Sequence, residues 1–116
     1  MFIDTHCHLS CEDYDDIDLI IEENKKAGIE KIIISGCTKE SILESIELSK
    51  KYENVYLTLG YHPSEVSTIT NKDLELLETQ LINTNKVVGI GEIGLDYHYG
   101  KEDMLEQQDL FRKQMV

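Results

Sequence analysis

Two histidines one residue apart, His6 and His8, stand directly after the first apolar run of the chain, Phe2-Ile3. Side chains of an extended segment alternate between faces, so His6 and His8 point one way and Cys7 the other. Two imidazoles placed like this can hold one metal ion. Asp4 sits one step earlier on the same face and could orient an imidazole by accepting its second N–H. Histidine pairs of this kind also occur on plain protein surfaces. Position gives this one weight, because ligands gather at the C-terminal ends of strands in parallel α/β folds.

Glu92 follows a later apolar run, within Gly89-Ile90-Gly91-Glu92-Ile93-Gly94-Leu95-Asp96-Tyr97. A carboxylate at a strand end, flanked by glycines that permit close backbone approach, suits a bridging metal ligand. Its alternative is a solvated loop glutamate. His62 lies in Gly60-Tyr61-His62-Pro63, after another apolar run. Pro63 is the only proline and biases His62 toward extended backbone. His62 could contact a metal or a substrate phosphate, or be a hydrogen-bonded loop histidine.

Gly89-x-Gly91-x-x-Gly94 matches the dinucleotide-binding fingerprint literally. That fingerprint needs its last glycines to open a helix that holds a pyrophosphate. Here residues 95–100 read as loop, so the motif is set aside. Glu12, Asp13, Asp15, Asp16 and Asp18 precede or open a helix, where negative charge suits the helix dipole, and their spacing does not fit a calcium loop. Cys7, Cys11 and Cys37 are an odd number, which argues against a disulfide framework and for free, partly buried thiols. Cys7 and Cys11 lie near the histidines, but strand geometry turns Cys7 away from a zinc site. His98 reads as an exposed loop residue. Tyr61, Tyr97 and Tyr99 could stack on bases, although loop tyrosines more often pack.

The elements that must position these residues alternate along the chain. Phe2-Ile3, Ile32-Ile34, Val55-Leu59 and Val87-Ile90 are short, apolar on both faces and rich in β-branched residues, as buried parallel strands are. Between them, Ile17, Ile20 and Ile21 predict a helix ending at Gly28, and Ile42, Leu43 and Ile46 one starting near Thr38. Leu74, Leu77 and Leu81 predict a third, whose start at Thr70-Asn71-Lys72-Asp73 resembles a capping box. Leu105, Gln108, Phe111 and Met115 predict a fourth, running to the chain end. This βα repetition implies a parallel sheet with right-handed crossovers. Four such units could form a small open sheet or half of an eight-unit barrel.

The chain has 116 residues, room for one domain at most, and its composition is that of a globular protein. No apolar run is long enough to cross a bilayer, and no basic segment with an apolar core opens the chain, so a cytoplasmic location without membrane partners is expected. Net charge is −12. Such a surface repels phosphates and argues against a passive DNA-binding module. It argues less against a nuclease, since bound divalent cations supply local positive charge.

Phe2-Ile3-Asp4-Thr5-His6-Cys7-His8-Leu9, Gly60-Tyr61-His62-Pro63 and Gly91-Glu92-Ile93-Gly94-Leu95-Asp96-Tyr97 together resemble the motifs of TatD-family metal-dependent hydrolases, in their expected order. Gln108, Phe111 and Gln114 look like the helix that follows. The resemblance implies an α/β fold of parallel (β/α) units, with residues 1–116 as the N-terminal portion, roughly half, of a TIM-type (β/α)8 barrel. It implies a divalent-metal-dependent deoxyribonuclease acting 3′–5′ on DNA phosphodiesters, with two ions (Mg, Mn or Zn) in a complete site. His6 and His8 would bind the first metal, Glu92 would bridge both, and His62 would line the phosphate site. The family also uses later histidines and a late aspartate, so a fragment, a second chain or self-association is expected to be involved. An inactive half-barrel or assembly module, and an amidohydrolase acting on amides or esters, are the rival readings.

Overall fold

A computed structural model describes residues 1–115. The four apolar runs are strands: β1 Phe2–Cys7, β2 Ile29–Gly36, β3 Val55–Leu59 and β4 Val87–Ile90. The amphipathic stretches are helices: α1 Ile17–Lys26, α2 Lys39–Lys51, α3 Asn71–Asn83 and α4 Met104–Gln114, with a 3-10 turn at Pro63–Glu65. The fourth helix, expected to reach the chain end, stops at Gln114 with Met115 as its cap, and Val116 lies outside the described residues. No helix among the described residues is long and apolar enough to cross a membrane.

The strands are all parallel and pair in the order β1-β2-β3-β4. A doubly wound sheet reverses its strand order at a switch point. This sheet has no reversal, and right-handed crossovers then lay every helix on one face. That is barrel-type winding, which settles the choice that the βα pattern left open.

Burial follows the winding. Val55, Leu57 and Leu59 alternate along β3 and are completely buried, and Ile32 and Ile34 on β2 are nearly so. They form one core with Ile17 and Ile21 of α1, Ile42 and Ile46 of α2, Leu77 of α3 and Leu110 of α4. Side-chain caps set the helix starts. Asp16 accepts the Leu19 N–H, and Thr38–Ser41 and Thr70–Asp73 form reciprocal capping boxes. The α1 helix ends one residue earlier than expected, with Ala27 as cap. Gly28 follows at φ +85°, the left-handed position that glycine occupies without strain.

Two expectations are corrected. The outer strands are not buried on both faces: Phe2 is 68% exposed, Ile3 49% and Val88 56%. They are the sheet's edges, with a strand neighbour on one side only, and even β3 between two neighbours has one face buried and the other partly exposed. The inward stripe of α4 also differs from Leu105, Gln108, Phe111 and Met115. Leu105 is 70% exposed, while Gln107, Leu110 and Gln114 are buried. Two of those three are amides, because this face binds loop backbone as well as the core.

One carboxylate ties two helix starts together. Asp73 accepts from the Thr70 hydroxyl at 2.6 Å, the Thr70 N–H at 2.7 Å and Lys39 Nζ at 2.9 Å. Lys39 Nζ also donates to the Thr68 carbonyl. These bonds, the Thr70 hydroxyl foremost and Lys39 next, hold the Asp73 carboxyl down to about 2 from its usual 3.8. A carboxyl depressed by folding stabilises fully above its unfolded pKa, and that stabilisation is lost as pH falls through the folded value. Stability should therefore drop between about pH 4 and pH 2 partly through Asp73. Asp73→Asn should flatten that segment of a stability–pH curve, and an unchanged slope would contradict the linkage. In the core, Leu57→Ala should cost about 3 kcal/mol, read as a lower urea midpoint with an unchanged slope.

Candidate functional site

The C-terminal rim of the sheet collects the candidate residues. His6 is the penultimate residue of β1, and His8 follows the strand. Ser35 and Thr58 are the penultimate residues of β2 and β3. His62 caps the 3-10 turn after β3, and Glu92 lies two residues past β4. Parallel strands all end on this side, so residues far apart in the chain converge here.

The rings of His6 and His8 meet edge to face, with their Nε2 atoms 3.3 Å apart. Glu92 Oε2 stands 3.6 Å from His6 Nε2 and 3.7 Å from His8 Nε2. Glu92 Oε1 faces the other way, 3.9 Å from His62 Nε2. One donor atom each from His6, His8 and Glu92 lies within 4.8 Å of the others. Two nitrogens bound to one tetrahedral zinc at ~2.0–2.1 Å stand ~3.3 Å apart. The observed spacing fits a cation held by two imidazoles and a carboxylate, a donor set that suits Zn²⁺ and Mn²⁺ as well as Mg²⁺.

Hydrogen-bond partners sort two of the three histidines. His8 Nδ1 is 3.1 Å from the Ser35 carbonyl, which can only accept. Neutral His8 therefore carries its proton on Nδ1 and leaves Nε2 bare for a cation. His62 is the reverse. The Ser64 N–H donates to its Nδ1 at 3.2 Å, so its proton sits on Nε2, the atom turned to Glu92. His8 is thus set up to ligate, and His62 to donate a hydrogen bond to an oxygen.

The loops that carry Glu92 and His62 are fixed by main-chain bonds and two amides. Gly60 N–H donates to Gly36 O, His62 N–H to Cys37 O and Gly91 N–H to Leu59 O, each at 3.0 Å, which extends the ladder past the strand ends. A β-carbon at Gly60 would stand 2.6 Å from Ile93 Cγ2 and 3.0 Å from the Gly91 carbonyl carbon, so only glycine lets these loops approach. His62 has φ −59° and ψ 145°, the extended conformation that Pro63 favours. Gln114 accepts the Tyr61 N–H at 2.7 Å and donates to the Tyr61 carbonyl at 3.1 Å. Gln107 makes the same two-pronged clasp on Asp96, at 2.8 and 2.9 Å.

His6, His8, Glu92 and His62 are brought together. Asp4 is not part of the cluster in its expected role. Its carboxylate accepts the His6 backbone N–H at 3.1 Å, where an irregularity in the β1–β2 pairing between Asp4 and Cys7 breaks the alternation. Ser35 contacts the imidazoles instead, with its hydroxyl 3.2 Å from His6 Nδ1 and 3.0 Å from Thr58 Oγ1. Ser35, Thr58 and Gln107 carried no sequence motif. The only hint was a pair of polar residues at the ends of apolar strands, Ser35 and Thr58.

Cys7 points away and donates to the Ile33 carbonyl, and burial, with the charge of Asp4, pushes its thiol up to about 11. Cys37 is half-buried, whereas Cys11 is exposed rather than partly buried. Tyr61 is buried and donates to the Asp73 carbonyl, so it packs rather than stacks on a ligand. Burial pushes its hydroxyl up to about 12. Tyr97 accepts from Gln108, and His98 is an exposed loop residue set edge to face against Tyr99. After β4 the chain runs through loop to Met104, so Gly89-x-Gly91-x-x-Gly94 opens no helix.

The family described as TatD related DNase matches residues 3–116. A Bacillus subtilis protein named an uncharacterized metal-dependent hydrolase, YabD, is 37% identical over 117 residues, covering 100% of this chain and 46% of its own length. The deoxyribonuclease Tat-D of Schizosaccharomyces pombe is 34% identical over 113 residues, covering 87% of this chain and 36% of its own. The crystal structure of YjjV, a TatD homologue from Escherichia coli, superposes with a TM-score of 0.81 at 33% identity, covering 98% of this chain and 45% of that one. The chain spans less than half the length of each of these relatives.

The Gln114 clasp pairs both backbone groups of Tyr61 in a buried position. Gln114→Ala should cost about 1–3 kcal/mol by urea unfolding, the range for buried polar groups left unpaired. A loss under about 0.5 kcal/mol, the level of an ordinary surface change, would mean that the clasp does not hold the loop.

Proposed function

The chain belongs to the TatD-related DNase family of metal-dependent hydrolases, and on that premise we propose that it carries the first half of a deoxyribonuclease centre. In this reading His6 and His8 hold a divalent cation through Nε2, and Glu92 adds a carboxylate oxygen. Glu92 turns one oxygen to the histidine pair and the other toward His62, which suits a carboxylate shared between two cations of the Mg, Mn or Zn class. The observation that carries the reading is the opposed proton placement of His8 and His62 around one carboxylate. A bare Nε2 faces the cation position, and an N–H faces the place where a phosphoryl oxygen would lie.

A bound cation would supply Lewis acidity, activating water and offsetting the charge of a phosphodiester. The chain's own groups do the rest. His62 Nε2–H donates to a nonbridging phosphate oxygen and orients the ester. Pro63, Gly60 and the Gln114 clasp hold that imidazole in place. The net charge of −12 repels a nucleic-acid backbone, so attraction for DNA rests on the cations. A relative named a deoxyribonuclease supports DNA as substrate, and 3′–5′ polarity is part of the same proposal. The exposed apolar edges of β1 and β4 favour a working form in which further strands close the sheet.

The test is hydrolysis of end-labelled single- and double-stranded oligodeoxynucleotides with Mg²⁺, Mn²⁺ or Zn²⁺, against a chelator control. Cleavage should require the cation and fall to background in Glu92→Ala. Near-parental turnover in Glu92→Ala at saturating metal would remove the bridging role. Hydrolysis of amides or esters without any cleavage of DNA would move the assignment to an amidohydrolase.

A further inference from the structure

One buried residue, Ser35, touches both imidazoles of the cluster. Its carbonyl lies 3.1 Å from His8 Nδ1, and its hydroxyl lies 3.2 Å from His6 Nδ1. The β1–β2 pairing ends at Cys7 and Ile34, which frees the Ser35 carbonyl for a side chain. The hydroxyl has a second partner, Thr58 Oγ1 at 3.0 Å, so a continuous row runs from β1 through β2 to β3.

We propose that Ser35 is the positioning residue of this centre: its carbonyl locks His8 in one tautomer, while its hydroxyl, backed by Thr58, lets His6 take either. The inference rests on the reading of His6, His8 and Glu92 as a cation site.

The difference lies in what each oxygen can do. A carbonyl only accepts, so His8 keeps its proton on Nδ1 whether or not a cation is present. A hydroxyl accepts and donates, so the row has two directions. In one, His6 Nδ1–H donates to Ser35, Ser35 donates to Thr58, and His6 Nε2 is bare. In the other, Thr58 donates to Ser35 and Ser35 donates to His6 Nδ1. The His6 proton is then on Nε2, 3.3 Å from the bare Nε2 of His8. The second direction satisfies the pair without a cation, and the first presents two bare nitrogens to one. Loading would move the His6 proton from Nε2 to Nδ1 by exchange with water. The two hydroxyls turn about, no net charge changes on the protein, and no polar atom of the row is left unpaired. Partners behind ligating histidines typically contribute about 10–100-fold in metal affinity.

The experiment is imidazole ¹H–¹⁵N spectroscopy of the 116-residue chain at about pH 8, above the ordinary histidine range, with and without Zn²⁺. Zn²⁺ affinity is measured alongside by competition with a chelating dye. In the parent, His8 should stay Nδ1-protonated in both states, and His6 should shift from Nε2–H to Nδ1–H on Zn²⁺ addition. Ser35→Ala removes the partner of His6 Nδ1, so it should change the His6 Nδ1 resonance in both states, keep the His8 signature and bind Zn²⁺ about 10–100-fold more weakly, while Ser35→Thr restores both. Thr58→Val, which keeps the strand's shape, is the second variant should Ser35→Ala fail to fold; it removes the acceptor of the metal-ready direction, so it should keep metal-free His6 as Nε2–H and weaken Zn²⁺ binding. Unchanged His6 signals and Zn²⁺ affinity in Ser35→Ala or Thr58→Val would overturn the proposal. Absence of Zn²⁺ binding by the parent would sink the cation reading itself, while the metal-free spectra would still decide what Ser35 holds.

Discussion

Sequential parallel pairing is the constraint from which the remaining geometry follows. Strands laid down in the order β1-β2-β3-β4 by right-handed crossovers all end on one rim and keep their helices on one face. His6, Ser35, Thr58, His62 and Glu92 come from four separate βα units, yet they need no long loop to meet. Each sits within three residues of a strand's C-terminal end. The opposite face of the helices is spent on the core, so chemistry and stability occupy different surfaces of the same strands.

The rim has to be held without an apolar core of its own. Main-chain bonds from Gly60, His62 and Gly91 carry the ladder past the strands, and the amides of Gln107 and Gln114 clasp the chain on either side of the cluster. Buried amides are costly when unpaired, and here each pairs with both backbone groups of one residue. That arrangement explains why α4 turns glutamines inward where an apolar stripe was expected.

Much of this was legible in advance. β3 and β4 have the bounds of their apolar runs, and the capping residues Thr38 and Thr70 stand where the helices begin. The histidine pair, His62 and Glu92 could be read from residue type and position after strands. What could not be read depends on three-dimensional register. Asp4 shares a face with His6 only if β1 alternates without interruption, and its pairing does not. Ser35 and Thr58 are ordinary strand residues until β1, β2 and β3 are laid side by side. The inward face of α4 depends on which loops it must bind, and helical periodicity does not carry that information. The choice between an open doubly wound sheet and a barrel-type one required strand order, which the repetition of βα units leaves undetermined.

The complete burial of one face of β3 beside the exposed edges β1 and β4 also has a kinetic meaning. Every strand pairs with its immediate predecessor in the chain, so each closure spans only one crossover, and the loop entropy of each step stays small. The β2–α2–β3 centre holds all but one of the largest fully buried side chains, Tyr61 being the exception, and the one inner ladder. It is the natural cooperative unit, with the outer strands added to it one at a time. His6 on β1, His8 just past it and the glutamate beyond β4 therefore belong to the last elements to be secured, and local opening there can proceed while the centre stays folded.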